Sequence, residues 1–142
     1  MLNFFTSAGN HDEETDFQVR FPANLTFVHG VGAIYDYEVP DGYNMGDKTD
    51  FSNYGETLNE SAPGYNIETV RYNSYSDEIE SIKVSGTSYS APIAALTFAY
   101  LKYAAKVLNK VLNLGMNNEM IRELVDKAFK YAMEKQTGDR DA

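Results

Sequence analysis

The chain has 142 residues, of which 43% are hydrophobic, so it can form one domain with a buried core. Its formal net charge is −9, and because an acidic surface repels phosphate groups, nucleic acid is not an expected partner. The absence of cysteine excludes disulfide bonds, thiolate nucleophiles and cysteine-ligated zinc, and it leaves the compartment undetermined.

The N-terminal half is predicted to contain two strands separated by loops. Residues 2–8 are rich in apolar and aromatic side chains and stop at a turn-forming Gly-Asn pair. Val28–Ile34 is a compact apolar run, which predicts a strand buried on both faces of a sheet. The acidic segment 11–20 and the turn-rich segment 36–53 are predicted to be loops.

No targeting or membrane signal is indicated by the sequence. The first residues lack the basic region and the apolar stretch of a signal peptide. No run approaches the roughly 18 apolar residues of a membrane span. We therefore expect a soluble chain without a membrane partner.

The C-terminal half is predicted to contain one short strand followed by two helices. The strand is expected at residues 66–72, and a polar loop is expected at 75–81. After Ser88, apolar residues cover much of the circumference of a helix, which predicts a central, buried helix. A second, amphipathic helix, capped by Asn117 or Asn118, is expected to pack on the core.

The most informative segment is 85–92, which reads Ser-Gly-Thr-Ser-Tyr-Ser-Ala-Pro. A serine at a helix N-terminus has its own N–H and the helix dipole directed towards an oxyanion formed by its attack on a carbonyl. Pro92 fits the first turn of this helix, where a missing N–H costs no intrahelical hydrogen bond. Ser88 is therefore a candidate acyl-transfer nucleophile. The alternative is that Thr87 or Ser88 only caps the helix.

The string Gly-Thr-Ser-x-Ser-Ala-Pro that begins at Gly86 resembles the signature around the nucleophile of the subtilisin-like serine proteases, or subtilases. Residues 7–10, Ser-Ala-Gly-Asn, are similar to the Ala-Gly-Asn of that family, whose asparagine amide completes the oxyanion hole. Three further segments look like family motifs in the family's order: Phe-Pro-Ala at 21–23, Phe-Ser-Asn-Tyr-Gly at 51–55 and Ala-Pro-Gly at 62–64.

The resemblance implies a partial three-layer α/β fold with a mostly parallel sheet, a central buried helix starting at Ser88 and a C-terminal amphipathic helix. Residues 1–135 are then the C-terminal part of a subtilase catalytic domain, and residues 136–142 are expected to be a frayed tail. It also implies serine endopeptidase chemistry on a peptide or protein substrate, with Ser88 as nucleophile and Asn10 in the oxyanion hole. The proline of the Phe-Pro-Ala motif is expected to follow a cis peptide bond. Members of this family are often secreted.

Two catalytic residues of the family have no counterpart in the sequence. Subtilase triads run Asp, His, Ser along the chain, and the first two lie upstream of the Ala-Gly-Asn strand, whereas only nine residues precede Asn10. His11 follows the oxyanion asparagine on an acidic loop, on the wrong side for a base. His29 lies in an apolar strand, at a position where the family usually has an aliphatic residue, and packing is its expected role.

We therefore expect the isolated chain to be inactive and the catalytic Asp and His to come from other segments. Without the family's N-terminal strands, the strands at 2–8 and Val28–Ile34 are expected to lack neighbours. The expected partners are the N-terminal half of the same enzyme or a second copy of the chain.

Two other functions and one possible ion remain open. A non-catalytic subtilase-like module for protein binding is suggested by the missing Asp and His and by the 11 tyrosines. An α/β-hydrolase esterase is disfavoured, because Ser88 lies in Gly-x-Ser-x-Ser rather than Gly-x-Ser-x-Gly and no histidine follows it. No cofactor is expected. Calcium, which many subtilases bind, has candidate ligands in the acidic residues of 12–16 and 36–50, but their spacing matches no EF-hand loop and a solvated surface is favoured.

Overall fold

A computed structural model describes residues 2–11 and 18–136 of the chain. Its elements in chain order are β1 (Phe4–Ser7), β2 (Val28–Ile34), β3 (Glu60–Pro63), β4 (Ile67–Asn73), β5 (Glu78–Val84), α1 (Thr87–Val111) and α2 (Asn118–Gln136). The tail predicted at 136–142 lies outside the described residues from 137 onward. Neither of the helices in the described segments is long and apolar enough to cross a membrane.

Strands β1, β2 and β3 form a parallel sheet with β2 in the centre. Phe4 pairs with Val28 and Val31 pairs with Glu60, which fixes the register on both sides of β2. β2 is buried along nearly its whole length, as an apolar strand with two neighbours requires. The prediction that the strands at 2–8 and Val28–Ile34 lack neighbours is therefore wrong, because β1 and β2 pair with each other and the segment with the Ala-Pro-Gly motif supplies β3. β1 has one neighbour within the described residues.

The two helices pack on one side of this sheet around the larger of two hydrophobic clusters. This arrangement confirms the α/β fold with a parallel sheet, a helix that starts beside Ser88 and a C-terminal amphipathic helix. The core consists of Val31, Ala62, Ala91, Ala94, Phe98, Ala105, Ile121, Val125, Phe129 and Met133.

Helix α1 is buried on the side of the sheet and exposed on the opposite side. Leu96, Tyr100, Tyr103, Val107 and Val111 are exposed and lie three or four residues apart, so they form one continuous face, which we call the α1 stripe. The burial predicted for this helix is thus present on one face only within the described residues.

Helix α1 begins one residue before Ser88, and Pro92 is not in its first turn. Gly86 is the N-cap and Thr87 is the first helical residue, so Pro92 lies within the second turn. A proline there has no N–H to donate to the carbonyl four residues earlier, which is that of Ser88. The expected first-turn position of Pro92 is therefore wrong, and so is the alternative in which Thr87 or Ser88 is the N-cap.

Strands β4 and β5 form an antiparallel hairpin, of which the sequence predicts only the first strand. β4 confirms the strand predicted at 66–72. The loop predicted at 75–81 is wrong from Glu78 onward, where β5 begins. The charged side chains of β5 obscure its hydrophobic pattern in the sequence. The strand is identified by its backbone pairing with β4, in which Ile67 lies opposite Val84, rather than by burial of its side chains.

Asn117 is the cap of helix α2. Its Oδ1 accepts a hydrogen bond from the Met120 N–H at 2.9 Å, which is the contact made by an N-cap side chain. Of the two candidate asparagines, Asn117 is therefore the cap and Asn118 is the first residue of the helix.

Two buried serines show how differently a hydroxyl group can contribute to stability. Ser52 Oγ accepts the Ala33 N–H at 2.9 Å and donates to the Asn53 carbonyl at 3.1 Å. Ser90 Oγ is also buried, and it has no hydrogen-bond partner within the described residues.

We expect Ser52→Ala to lower the free energy of unfolding by about 1–3 kcal/mol, because it leaves a buried N–H without its acceptor. Ser90→Ala is expected to leave it unchanged or to raise it. Urea denaturation of both variants checks this, and equal losses would contradict it.

Candidate active site

The side chain of Thr87 joins Asn10 to the start of helix α1. Thr87 donates to Asn10 Oδ1 twice, from its backbone N–H at 2.9 Å and from its hydroxyl at 2.8 Å. The same hydroxyl oxygen accepts the Gly9 N–H at 3.3 Å. Because both Thr87 donors meet Oδ1, the Asn10 amide is held in one orientation, with Nδ2 left as its donor.

Ser88 follows Thr87 in the first turn of α1, and both Ser88 and Asn10 are exposed. The first N–H groups of a helix have no intrahelical acceptor and carry the positive end of the helix dipole. Asn10 Oδ1 accepts the Thr87 N–H, and the N–H of Ser88 is the next one at this end of the helix. The structure therefore brings the two sequence-predicted residues together just beyond the carboxyl end of β1, the sheet edge where ligands bind in α/β folds.

Asn53 supports the turn that carries Asn10. Asn53 is fully buried, and its Oδ1 accepts the His11 N–H at 2.7 Å while its Nδ2 donates to the Gln18 carbonyl at 2.8 Å. Gly9 lies directly above it with a φ of 113°, and a Cβ at Gly9 would lie 2.5 Å from Asn53 Nδ2. Glycine alone satisfies both the backbone angle and the close approach.

Gly86 leaves room in front of the Asn10 amide. Its φ of 149° lies in a region of backbone conformation that residues with a Cβ rarely adopt. A Cβ at this position would lie 3.2 Å from Asn10 Nδ2, so a larger residue would crowd the remaining donor. The local structure therefore explains why glycine occupies the first position of the Gly-Thr-Ser string.

His29 is remote from Ser88. Its ring stacks on Phe5 with centroids 4.5 Å apart, and its Nδ1 is 2.8 Å from Glu60 Oε1. The ring also contacts Phe98, which lies about 15 Å along α1 from Ser88 at 1.5 Å per residue. These contacts confirm the packing role predicted for His29. His11 has an exposed side chain, and its backbone N–H binds Asn53.

The acidic side chains between β2 and β3 make local hydrogen bonds. Asp47 Oδ2 accepts the Asn44 N–H at 2.7 Å, and Asp50 Oδ1 accepts the Tyr43 hydroxyl at 2.5 Å. The second bond stabilises the protonated phenol and raises the pKa of Tyr43 to about 12. In residues 2–11 and 18–136, no three His, Cys, Asp or Glu side chains are grouped as metal ligands. The acidic residues of 12–16 lie outside the described residues.

The sequence predicts no role for Asn53, and for Thr87 only the alternative role of helix cap. Both lie within motifs that carry the family resemblance, Gly-Thr-Ser and Phe-Ser-Asn, and that is the signal from which a role could have been found. The contacts themselves are not visible in the sequence, because they join residues 77 and 42 positions apart. The peptide bond between Phe21 and Pro22 is cis, as the resemblance predicts.

Several solved structures similar to this chain are proteases. The profile described as "Subtilase family" matches residues 2–140. The prenylagaramide maturation protease PagA is 29% identical with a TM-score of 0.52, and the match covers 73% of this chain and 32% of that one. The self-cleaved protease domain of PatA is 26% identical with a TM-score of 0.54, covering 84% of this chain and 38% of that one. A cold-adapted subtilisin-like serine proteinase shares the fold at 23% identity, with a TM-score of 0.57 and coverage of 96% and 41%. No match is found among curated proteins.

This chain spans only about a third to two-fifths of the length of these solved structures. The family profile nevertheless extends over almost every residue, and the parallel sheet with two helices on one side agrees with the fold of these proteases. The chain belongs to the subtilase family of serine proteases.

Proposed function

We propose that this chain is the C-terminal portion of a subtilisin-like serine endopeptidase, with Ser88 as the nucleophile and Asn10 as an oxyanion-hole donor. The observation that carries the proposal is the pair of hydrogen bonds from Thr87 to Asn10 Oδ1. They fix the Asn10 amide beside the helix start that carries Ser88. A fixed donor stabilises a developing negative charge better than water does, because it need not reorient during the reaction.

In the proposed reaction, Ser88 Oγ attacks the carbonyl carbon of the scissile peptide bond while a histidine accepts its proton. The carbonyl oxygen becomes an oxyanion that receives hydrogen bonds from Asn10 Nδ2 and the Ser88 N–H. The carbon–nitrogen bond then breaks, the leaving amine takes the proton from the histidine, and an ester remains on Ser88. Water hydrolyses this ester by the same sequence of proton transfers and restores the serine. Segments other than this chain supply the histidine and the aspartate that orients it.

Two surfaces of the described chain are suited to receive such segments. The α1 stripe places large apolar side chains on the face opposite the core, and an exposed apolar patch of this kind marks an interaction surface. β1 has an unpaired edge within the described residues, so a further strand can extend the sheet there. A segment that covers both surfaces would complete the burial of α1.

A non-catalytic protein-binding module is the second candidate function. Exposed tyrosines such as Tyr37 and Tyr75 favour it, since tyrosine is enriched at interfaces. Tyr35, by contrast, packs on Tyr43 and Tyr65 with ring centroids 4.9 and 5.0 Å apart. A binding module has no need of a fixed amide donor beside an exposed serine, so the first candidate accounts for more of the site.

Labelling with a fluorophosphonate, followed by peptide mass mapping, tests the proposed function. The chain is labelled alone and after mixing with an N-terminal subtilase segment that contains the catalytic Asp and His. We expect modification of Ser88 in the mixture only, because the reagent needs a serine activated by a base. Absence of labelling in both samples, with the assembly shown to form, would favour the binding module.

Two variants make the labelling result specific. Ser88→Ala must abolish the label if Ser88 is the nucleophile, and a label that persists contradicts the assignment. Labelling of Ser88 in the lone chain would contradict the need for a second segment. In that case loss of the label in His11→Ala would identify His11 as the base.

A further inference from the structure

A cavity of about 350 Å³ opens at the opposite end of the sheet from Asn10. His29 and Glu60, which line it, lie at the starts of β2 and β3, whereas Asn10 follows the end of β1. Helix α2 closes the other side with Phe129 and Met133. The volume lies in the range of small-molecule sites, and the lining combines four apolar residues with six polar or charged ones.

Glu60 lines this cavity, and one of its two oxygens, Oε2, is buried behind the wall without a hydrogen-bond partner in the described residues. The other oxygen, Oε1, is bonded to His29 Nδ1 at 2.8 Å. As a carboxylate, Oε2 lacks a donor, and as a carboxylic acid, its O–H lacks an acceptor. A buried polar atom in this state costs free energy until something binds it.

The surroundings of Glu60 are aromatic. The rings of His29, Phe98 and Phe129 lie together, with centroids of Phe98 and Phe129 5.2 Å apart and those of His29 and Phe129 6.3 Å apart. Aromatic faces attract cations and exclude water, so a positive group next to them gains from both effects. Burial raises the pKa of Glu60, and the hydrogen bond with His29 opposes that rise.

The charges at the cavity favour a cation of low charge. Asp126 and Lys130 bring one negative and one positive side chain to the wall, so the net charge is set by the Glu60–His29 pair and is negative while the imidazole is neutral. An anion would meet the Glu60 carboxylate. A metal ion would need more ligands, and no three suitable side chains are grouped within the described part of the chain.

We propose that this cavity binds a small organic ammonium ion with an apolar body, whose N–H group donates to the Glu60 carboxylate while its body contacts Phe98 and Phe129. Charge-assisted N⁺–H···O⁻ bonds of this kind are about twice as strong as neutral ones. A positive charge beside Glu60 also stabilises a carboxylate whose second oxygen has no donor within the described residues. The site is separate from Ser88, so it stands whether or not the proposed function is correct.

Binding of benzylammonium, compared with neutral benzyl alcohol of the same shape, tests the proposal. Isothermal titration gives the affinities, and NMR shifts of the Phe98 and Phe129 ring protons locate the ligand. We expect a Kd of about 1 mM or tighter for benzylammonium. Benzyl alcohol is expected to bind at least about tenfold more weakly, because it forms no charge-assisted bond. Equal affinities, or no saturable binding of benzylammonium, would overturn the proposal.

Glu60→Gln keeps the shape of the side chain and removes its negative charge. It is expected to weaken benzylammonium binding at least about tenfold, since hydrogen bonds to charged groups contribute that much or more. Asp126→Asn is the matched control at the cavity wall and is expected to change the affinity by about threefold or less, as for exposed charges. An unchanged affinity in a folded Glu60→Gln variant would also overturn the proposal. If that variant does not fold, the comparison of benzylammonium with benzyl alcohol on the unmodified chain still tests the proposal.

Discussion

Asn10→Asp is expected to lower kcat for peptide hydrolysis by about 10²–10³ in an assembly that supplies the catalytic Asp and His, a loss known from subtilisin itself when one oxyanion-hole donor is removed. The aspartate keeps an oxygen for the Thr87 donors at 2.9 and 2.8 Å but replaces Nδ2 with a second oxygen. The lost hydrogen bond acts on the transition state, so KM is expected to change little. Steady-state kinetics with a peptide substrate measures both constants.

Two further variants separate the loss of the Asn10 Nδ2 donor from the loss of the Asn10 oxygen that binds Thr87. Thr87→Ser keeps both donors to Asn10 and is expected to retain nearly full activity. Asn10→Ala removes the anchor as well as the donor, so it is expected to lower kcat and also the free energy of unfolding, because the Thr87 hydroxyl and N–H lose their acceptor. An effect of Asn10→Asp on KM alone, with kcat unchanged, would exclude Asn10 from the oxyanion hole.

Gly64→Ala is expected to lower the free energy of unfolding by about 3 kcal/mol, at the upper end of the usual cost of overpacking. Gly64 follows β3, and its carbonyl accepts the Gly86 N–H at 2.8 Å, which holds this segment against the start of α1. A Cβ here would overlap Ser90 Oγ and lie 2.6 Å from Ala33 Cβ. Ala33 is in the central strand, so relief requires a shift of β2 or α1. Urea denaturation measures the loss.

Gly115→Ala is the control for this substitution. Gly115 has a φ of 66° and open space where a Cβ would lie, so only backbone strain is added, at a cost of about 1–2 kcal/mol. Adding Ser90→Ala to Gly64→Ala removes one of the two overlaps, and the double variant is expected to lose less stability than the sum of the single ones. Equal losses at Gly64 and Gly115 would show that crowding is not the cause.

The elements predicted from the sequence are those with a strong hydrophobic pattern. β2 is a continuous apolar run, and α1 and α2 repeat apolar residues at helical spacing, so each is visible without knowledge of its neighbours. β5 mixes Glu78, Glu80 and Lys83 with apolar residues on a largely exposed hairpin, and its charges favour a loop in the sequence. β3 has four residues and becomes a strand only through pairing with β2.

In the candidate site too, the sequence motifs identify individual residues, whereas the contacts between those residues are visible only in the structure. Ser88 and Asn10 were found through their motifs, and the structure adds the reason for their proximity, which is the Thr87 side chain. The supporting role of Asn53 depends on contacts across the fold that no local pattern encodes. His29 and Glu60 are individually unremarkable in the sequence, and only the parallel pairing of β2 with β3 makes them partners.

The bond between Thr87 and Asn10 closes a loop of 77 residues. The entropy lost in closing a loop grows with the logarithm of its length, and here it is offset only when the sheet and α1 have docked. A chain still emerging from the ribosome, or one trapped in a partly folded state, therefore carries its serine without the oxyanion donor. Under the proposed function, a partly folded chain is therefore unreactive towards neighbouring proteins until the fold is complete.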